Sequence, residues 1–241
     1  MRAVICGANG AMGKLLRQRL EKDIAGLVSI DGMNGVPRTF VELGDVQPEI
    51  VYDFSHHTAI FDVTEYAVQN RCALVIATTG HTEEEKAAIY AAAKRIPVFY
   101  AGNMSLGIAV LCELAKQAAQ SFPDADIEIV EIHHNRKVDA PSGTAKMLFD
   151  AIREVRPRAT ANCGRSGEGK RTPDEIGIQA LRMGNIVGIH EVHITTASQQ
   201  ITLRHEAFDR GMFADGAAKA GAFLEGKPAG LYNMKDLLEE S

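Results

Sequence analysis

Short apolar runs alternate with amphipathic segments through the first hundred residues of the chain. The runs are rich in β-branched residues, which favour strands, and they cover 2–6, 27–31, 50–53, 73–77 and 97–101. Between them, apolar residues recur at spacings of three and four, which predicts helices over 11–22, 57–70 and 82–95. Because strands that alternate with helices form parallel sheets with crossover connections, we predict a doubly wound α/β domain.

A second set of elements follows Gly102 and combines strands and helices differently. Its predicted helices cover 106–121, 143–155 and 211–224, and its predicted strands cover 126–133, 176–182, 186–197 and 199–208. The last three strands suggest an antiparallel, mixed region, and the glycine-rich stretch 164–174 suggests an exposed loop. We therefore predict an α+β domain with a mixed sheet over 105–209. The first domain then spans 1–104, and the helical segment 210–241 packs back on it.

Composition excludes several classes of protein without naming a function. The chain has 241 residues, of which 46% are hydrophobic and 24% charged, so it can bury a sizeable core. Its formal net charge of −5 argues against a nucleic-acid partner, which normally binds a basic surface. No apolar run approaches the ~18 residues of a membrane span. The first apolar run is also too short for a secretory signal, so we expect a cytoplasmic protein.

The glycine-rich segment 7–13 directly follows the first predicted strand and opens the first predicted helix. Glycines in that position allow a tight turn and let the backbone approach a pyrophosphate at the positive end of a helix. The spacing is GxxGxxG rather than the strict GxGxxG, so the placement within a βαβ pattern carries much of the argument. We predict that this segment binds a dinucleotide and that the first domain is of Rossmann type.

Asp31 follows the second predicted strand, close to the ~20 residues beyond the glycines at which a ribose-binding carboxylate is expected. A carboxylate accepts hydrogen bonds from the ribose hydroxyls and repels a 2′-phosphate, so Asp31 favours NADH. Arg38 lies nearby and could bind a 2′-phosphate if the loop folds back, which leaves NADPH open. The alternative is that Asp31 is an ordinary turn residue before Gly32.

The densest cluster of chemically active side chains lies in 131–144, with the sequence EIHHNRKVDAPSGT. Histidine donates protons near neutral pH, and lysine binds carboxylates. Ser142 is placed to cap a helix, whose first backbone N–H groups, at Gly143 and Thr144, can bind an anion. This combination suits a small anionic substrate that must receive a proton.

A metal site is the competing interpretation of the two adjacent histidines, His133 and His134. Neighbouring residues of a strand point to opposite faces, and no second cluster of ligands accompanies the pair. The four cysteines are scattered and show no CxxC spacing. We therefore expect no metal.

The same segment strongly resembles the signature of the dihydrodipicolinate reductases, His-His-x-x-Lys-x-Asp-Ala-Pro-Ser-Gly-Thr, and meets it at every fixed position. The resemblance covers nearly the whole chain and includes 7–13, 53–55, 78–80, 103–105 and 230–234. Two positions depart from the family pattern, since Asn185 stands where aspartate is commoner and Ile189 where glutamate is commoner. Neither departure falls in the signature segment.

The resemblance implies a two-domain enzyme, usually a homotetramer, with a Rossmann-type domain and a mixed-sheet domain for substrate binding and oligomerisation. Such enzymes use NADH or NADPH to reduce 4-hydroxy-tetrahydrodipicolinate or dihydrodipicolinate to tetrahydrodipicolinate, in the diaminopimelate route to lysine. By position, His133 matches the proton donor and Lys137 the second catalytic residue. The substrate-binding positions are His134, Gly143 and Thr144, and the dinucleotide contacts are Gly7, Ala8, Asn9, Gly10, Ala11, Met12, Ala77, Thr78, Thr79, Ala101, Gly102, Asn103 and Met104.

Two other functions are compatible with the glycine loop alone. An aspartate-type dehydrogenase with a Rossmann domain would keep 7–13 but does not need the order of residues found in 133–144. A non-catalytic dinucleotide sensor would have no use for the pair His133 and Lys137. The predicted sheet at 176–208 is the candidate surface for oligomer contacts.

Overall fold

The computed structural model describes residues 1–240, and contacts within the chain divide it into two compact units. The first unit contains residues 1–105 and the segment that starts at Arg210, and the second contains residues 106–209. Among residues 1–240, no helix is both long enough and apolar enough to cross a bilayer.

The first unit is built on a six-stranded sheet in which all neighbouring strands are parallel. Its strands are β1 (Ala3–Cys6), β2 (Ile24–Val28), β3 (Ile50–Asp53), β4 (Ala73–Ile76), β5 (Pro97–Tyr100) and β11 (Gly230–Tyr232), in the order β11-β5-β4-β3-β1-β2. Its helices are α1 (Ala11–Leu20), α2 (Phe40–Leu43), α3 (Ile60–Gln69), α4 (Glu83–Ala93), α7 (Gly211–Phe223) and α8 (Met234–Glu239). The predicted Rossmann-type parallel sheet is confirmed.

Burial explains why the central strands of this sheet are continuous apolar runs. Every residue of β1, β3 and β4 is buried, as expected when helices cover both faces of a parallel sheet. The start of α4 is fixed by a capping box, in which Thr82 and Glu85 each accept the other's backbone N–H. Helix α7 packs against α1 within this unit.

Two details of the first unit differ from the predicted elements. Strand β2 begins and ends three residues earlier than predicted, and the apolar Ile30 lies beyond it with 89% of its surface exposed. The tail after α7, for which no element was predicted, contains β11 and α8. Both were missed because they are short: the three residues of β11 and the six of α8 are too few to show a period. Strand β11 nevertheless extends the sheet beside β5.

The second unit contains a mixed sheet, as predicted, and this sheet has five strands. Its strands are β6 (Asp126–His133), β7 (Thr160–Cys163), β8 (Glu175–Arg182), β9 (Gly188–Thr195) and β10 (Gln200–Ala207), in the order β10-β9-β6-β8-β7, and its helices are α5 (Leu106–Ser121) and α6 (Gly143–Arg153). Strands β9 and β10 are antiparallel, but β8 runs parallel to both β6 and β7. The short strand β7 was not predicted.

One face of this sheet changes from apolar to polar along β6. The residues that alternate inward on β6 are Ile127, Ile129, Glu131 and His133, and the first two are core residues that cluster with α5 and α6. Register gives three successive rows across β8, β6 and β9, namely Ile176–Ile127–Ile194, Ile178–Ile129–Val192 and Ala180–Glu131–His190. The hydrophobic core therefore ends where the charged row begins.

Candidate active site

The glycine-rich segment forms the turn between β1 and α1. Gly7 has a φ of +79°, and a Cβ there would lie 2.3 Å from the backbone oxygen of Phe54. Gly13 is packed as closely, because its Cβ would lie 2.2 Å from the Gly7 oxygen. Both positions require glycine, so the turn is tight where it passes the carboxyl end of β1.

The first turn of α1 suits an anion. Its N-cap residue is Gly10. Within residues 1–240, no side chain caps this helix, and its first turn contains no acidic residue. The first backbone N–H groups of α1, including those of Ala11 and Met12, are therefore not used by a capping side chain. Together with the helix dipole, they fit the pyrophosphate of a dinucleotide.

Asp31 is held beside this turn. Its Oδ1 accepts hydrogen bonds from Asn9 Nδ2 at 2.6 Å and from the Met33 backbone N–H at 3.0 Å. These two hydrogen bonds lower the pKa of Asp31 below its usual value, and the one from Asn9 has the larger effect. The carboxyl group is therefore ionised at neutral pH. The loop also folds back, since a Cβ at Gly32 would lie 2.6 Å from Nε of Arg38.

The other predicted dinucleotide contacts lie at the same edge of the first sheet. Ala77, Thr78 and Thr79 directly follow β4, and 101–104 directly follows β5. Because these strands are parallel to β1, their carboxyl ends meet at the edge where the glycine turn lies. The first unit therefore gathers every predicted dinucleotide contact at one sheet edge.

In the second unit, the carboxylate of Glu131 is the centre of a hydrogen-bond network. Its Oε2 accepts from His133 Nδ1 at 2.5 Å, and its Oε1 accepts from the Ser142 backbone N–H at 3.0 Å. Arg182 donates one bond of 2.8 Å to each oxygen. Burial raises the pKa of Glu131, but the hydrogen bonds from His133, Arg182 and Ser142 outweigh it and lower the pKa to about 2. The buried group is therefore a carboxylate.

The ring of His133 is fixed on two sides. Besides the bond to Glu131, it packs edge-to-face against His190, with ring centroids 5.1 Å apart. A Cβ at Gly188 would lie 3.2 Å from His133 Nε2, so the glycine leaves space next to that nitrogen. Only 12% of the His133 side chain is exposed.

The loop after β6 carries the second predicted catalytic residue. His134 N donates to Ile186 O at 2.8 Å, and Lys137 N donates to His134 O at 3.1 Å. The backbone therefore forms a turn directly after β6. Lys137 Nζ donates to Asp139 Oδ1 at 2.7 Å, and this salt bridge lowers the pKa of Asp139. The lysine charge is thus held within the same loop as the two histidines.

The loop ends at the start of α6, as the sequence predicted. Ser142 Oγ accepts from Ala145 N at 3.2 Å and lies 3.2 Å from His190 Nε2. The next residues, Gly143 and Thr144, begin the first turn of α6. Within residues 1–240, this first turn contains no acidic residue. One strand, one loop and one helix start therefore carry the five residues predicted for this site, and Glu131 links the strand to the helix start. These residues are His133, His134, Lys137, Gly143 and Thr144. Among residues 1–240, no group of three or more His, Cys, Asp or Glu side chains could hold a metal ion.

Comparison with known protein families agrees with both halves of this arrangement. Residues 1–104 match the family model described as dihydrodipicolinate reductase, N-terminus, and residues 107–238 match the one described as dihydrodipicolinate reductase, C-terminus. The chain belongs to the dihydrodipicolinate reductase family. The resemblance found in the signature segment is confirmed.

Relatives within the dihydrodipicolinate reductase family match over the full length. The chain is 41% identical to a 4-hydroxy-tetrahydrodipicolinate reductase of Alkaliphilus metalliredigens, covering 99% of each protein. It is 43% identical to one of Caldanaerobacter subterraneus subsp. tengcongensis, covering 100% of this chain and 99% of the relative. A solved structure, dipicolinate-bound dihydrodipicolinate reductase from Paenisporosarcina sp. TG-14, has the same fold, with a TM-score of 0.77, 24% identity and 97% coverage of each chain.

The sequence did not indicate the residues that support His133. Glu131 begins the segment 131–144 but has no role in the function predicted for it, although strand alternation places it on the inward face with Ile127 and Ile129. A charged residue at an inward position is the signal that could have found it. The contributions of Arg182 and His190 depend on pairing between strands distant in sequence, which periodicity does not show.

His190 makes the stability of the protein depend on pH. It is 4% exposed, and burial, followed by the charge of His133, lowers its pKa to about 3. At a pH below the ordinary pKa of histidine, this residue therefore binds a proton in the unfolded chain but not in the folded chain. We expect the free energy of unfolding to fall as pH is lowered from 6.5 towards 5, by about 1.4 kcal/mol per pH unit for each such group.

Urea titrations at several pH values test this expectation. In His190→Gln the free energy of unfolding should fall less steeply with decreasing pH, because the proton uptake is removed. His193→Gln is the control, since His193 lies on the same strand and its side chain is 26% exposed. Equal slopes for wild type and His190→Gln would show that His190 does not cause the dependence.

Proposed function

We propose that this chain is a 4-hydroxy-tetrahydrodipicolinate reductase. It reduces 4-hydroxy-tetrahydrodipicolinate, or its dehydrated form dihydrodipicolinate, to tetrahydrodipicolinate with NADH or NADPH, as a step of the diaminopimelate route to lysine. The observation that carries this proposal is a half-buried histidine bound to a carboxylate that also accepts from the start of a helix, with a lysine in the loop between them. That arrangement provides a proton donor together with groups that bind a carboxylate.

The residues of the second unit have distinct parts in the reaction. A reduced nicotinamide dinucleotide, when held by the residues of the first unit, would supply hydride to an unsaturated ring carbon that is conjugated to an imine. Negative charge then develops on the ring, and His133 donates a proton to it from Nε2, since Nδ1 is held by Glu131. Lys137 and the amides of Gly143 and Thr144 hold a substrate carboxylate and stabilise the charge, and His134 contributes to substrate binding.

The first unit provides the dinucleotide site. The residues proposed to contact the dinucleotide are the glycine turn and first helical turn (Gly7, Ala8, Asn9, Gly10, Ala11 and Met12), Asp31, and the two strand ends (Ala77, Thr78, Thr79, Ala101, Gly102, Asn103 and Met104). Close packing at Gly7 and Gly13 supports this assignment, because a turn that merely reverses direction needs no such approach of backbones. The proposed domains are therefore a dinucleotide-binding unit, 1–104 with 210–241, and a substrate-binding unit, 105–209.

A coupled assay tests the function directly. The substrate is generated in place from pyruvate and aspartate semialdehyde by the preceding synthase, and oxidation of NADH and of NADPH is followed separately. Oxidation that requires both the synthase and this protein is the expected result. No oxidation of either dinucleotide would reject the proposal.

Substitutions separate the two catalytic residues from the cofactor site. We expect His133→Ala to lower kcat by about 10²–10⁴-fold, because it removes the general acid. Lys137→Ala should lower kcat/KM by about 10²–10³-fold, because it removes charge stabilisation. The affinity for NADH, measured by fluorescence titration, should stay near that of wild type in both variants. Wild-type turnover in both would refute the assignment.

Asp31 is proposed to make NADH the preferred cofactor. Asn9 and Met33 both donate to its Oδ1 and its pKa is low, so the carboxylate is suited to accept the ribose hydroxyls and to repel a 2′-phosphate. Asp31→Ala should raise the KM for NADH about tenfold, the effect of losing about 1.4 kcal/mol of binding. Arg38→Ala is the matched comparison and should raise the KM for NADPH instead. An unchanged KM for NADH in Asp31→Ala would leave Asp31 as a turn residue.

We also propose that the protein is a homotetramer that uses the outer face of the second sheet. Strand β10 lies at one edge of that sheet, and its residues Gln200, Thr202, Arg204 and Glu206 alternate outward and are exposed. Sedimentation equilibrium should give four times the chain mass, and reversing charge with Arg204→Glu should dissociate the assembly. A monomeric wild type would contradict this part of the proposal.

A further inference from the structure

Glu131 connects two parts of the proposed substrate site that lie on different elements. Its Oε2 accepts from the ring of His133, which is on the same strand, β6. Its Oε1 accepts from the backbone of Ser142, which is the N-cap of α6. One carboxylate therefore touches both the proton donor and the residue that begins the anion-binding turn.

The orientation of this carboxylate is fixed from a third direction. Arg182 donates to both oxygens at 2.8 Å and also to the backbone oxygen of Asp139 at 2.7 Å. Since each oxygen of Glu131 accepts from two N–H groups, the carboxylate cannot turn without losing a bond. Glu131 is also 0% exposed, so no water competes for these donors.

We infer that Glu131 is a positioning residue for proton transfer, which holds Nδ1 of His133 so that Nε2 delivers the proton, and which sets the place of that ring relative to the start of α6. The inference rests on the proposed function. Glu131 does not touch the substrate and acts through His133 and Ser142. His190 completes the arrangement, because it packs against the His133 ring and lies within hydrogen-bond distance of Ser142 Oγ.

A purely structural role for the same residue makes a different prediction. A buried ion pair that only stabilises the fold would, when broken, reduce the amount of folded protein. The molecules that remain folded would then transfer the proton as in wild type. Loss of a positioning residue instead slows proton transfer within folded molecules. Only a positioning role therefore predicts a change in the solvent isotope effect.

Glu131→Gln is the first variant to test, since it keeps the size of the side chain. An amide offers one acceptor oxygen where two are needed and turns its NH2 group towards another donor. We expect kcat per folded molecule to fall about tenfold or more and the solvent deuterium isotope effect on kcat to exceed that of wild type. Affinity for NADH should stay within about twofold of wild type. Glu128→Gln, on the same strand with 35% of the side chain exposed, is the control and should change none of these.

Glu131→Asp provides a second measurement if the amide variant does not fold. It keeps the charge but is one methylene shorter, so it cannot reach both His133 and Ser142, and the isotope effect should again rise. An isotope effect equal to that of wild type in the folded variants, with or without a lower kcat, would overturn the inference. If wild type itself oxidises neither NADH nor NADPH in the coupled assay, the proposed function fails instead, and the two failures are therefore distinguishable.

Discussion

The burial of the Glu131 carboxylate is the constraint on which the second unit depends. Removing a carboxylate from water costs several kcal/mol unless charged and hydrogen-bonding partners replace the solvent. Those partners come from three elements, with His133 on β6, Arg182 on β8 and Ser142 at the start of α6. Satisfying one buried charge therefore fixes the strand register, the histidine ring and the helix start together. The same strand that forms the core through Ile127 carries the site at its end.

Local charge, rather than net charge, is what allows this protein to bind its proposed ligands. The chain carries a formal net charge of −5, yet a dinucleotide and a dicarboxylate are both anions. Each unit offers the start of one helix, α1 or α6, as a local site for an anion. Among the described residues, neither helix has an acid in its first turn to repel that anion. Lys137, in the loop that leads to the second helix, adds a positive charge paired with Asp139, and the tight turn at Gly7 leads directly into the first helix.

The sequence predicted the features that periodicity and local motifs encode. The alternation of strands and helices predicted the first sheet, strand-like runs predicted the second, and the position of Ser142 predicted the start of α6. Each of these signals depends on residues close in sequence. Three features escaped prediction. Strands as short as β11 show no period, and the apolar Ile30 resembled a strand residue although it is exposed. The pairing of Glu131 with Arg182 arises only when β6 and β8 lie side by side, which no local pattern encodes.

In the proposed reaction, the substrate ring gains a hydride from a nicotinamide dinucleotide and a proton from His133. The decisive measurement is turnover of the synthase product with NADH that carries deuterium at both hydrogens of the nicotinamide C4, followed by mass spectrometry of tetrahydrodipicolinate. Wild type should form a product that carries one cofactor deuterium and one solvent proton, and His133→Ala should form it far more slowly. Tetrahydrodipicolinate without cofactor deuterium, or formed equally fast by His133→Ala, would refute this reaction.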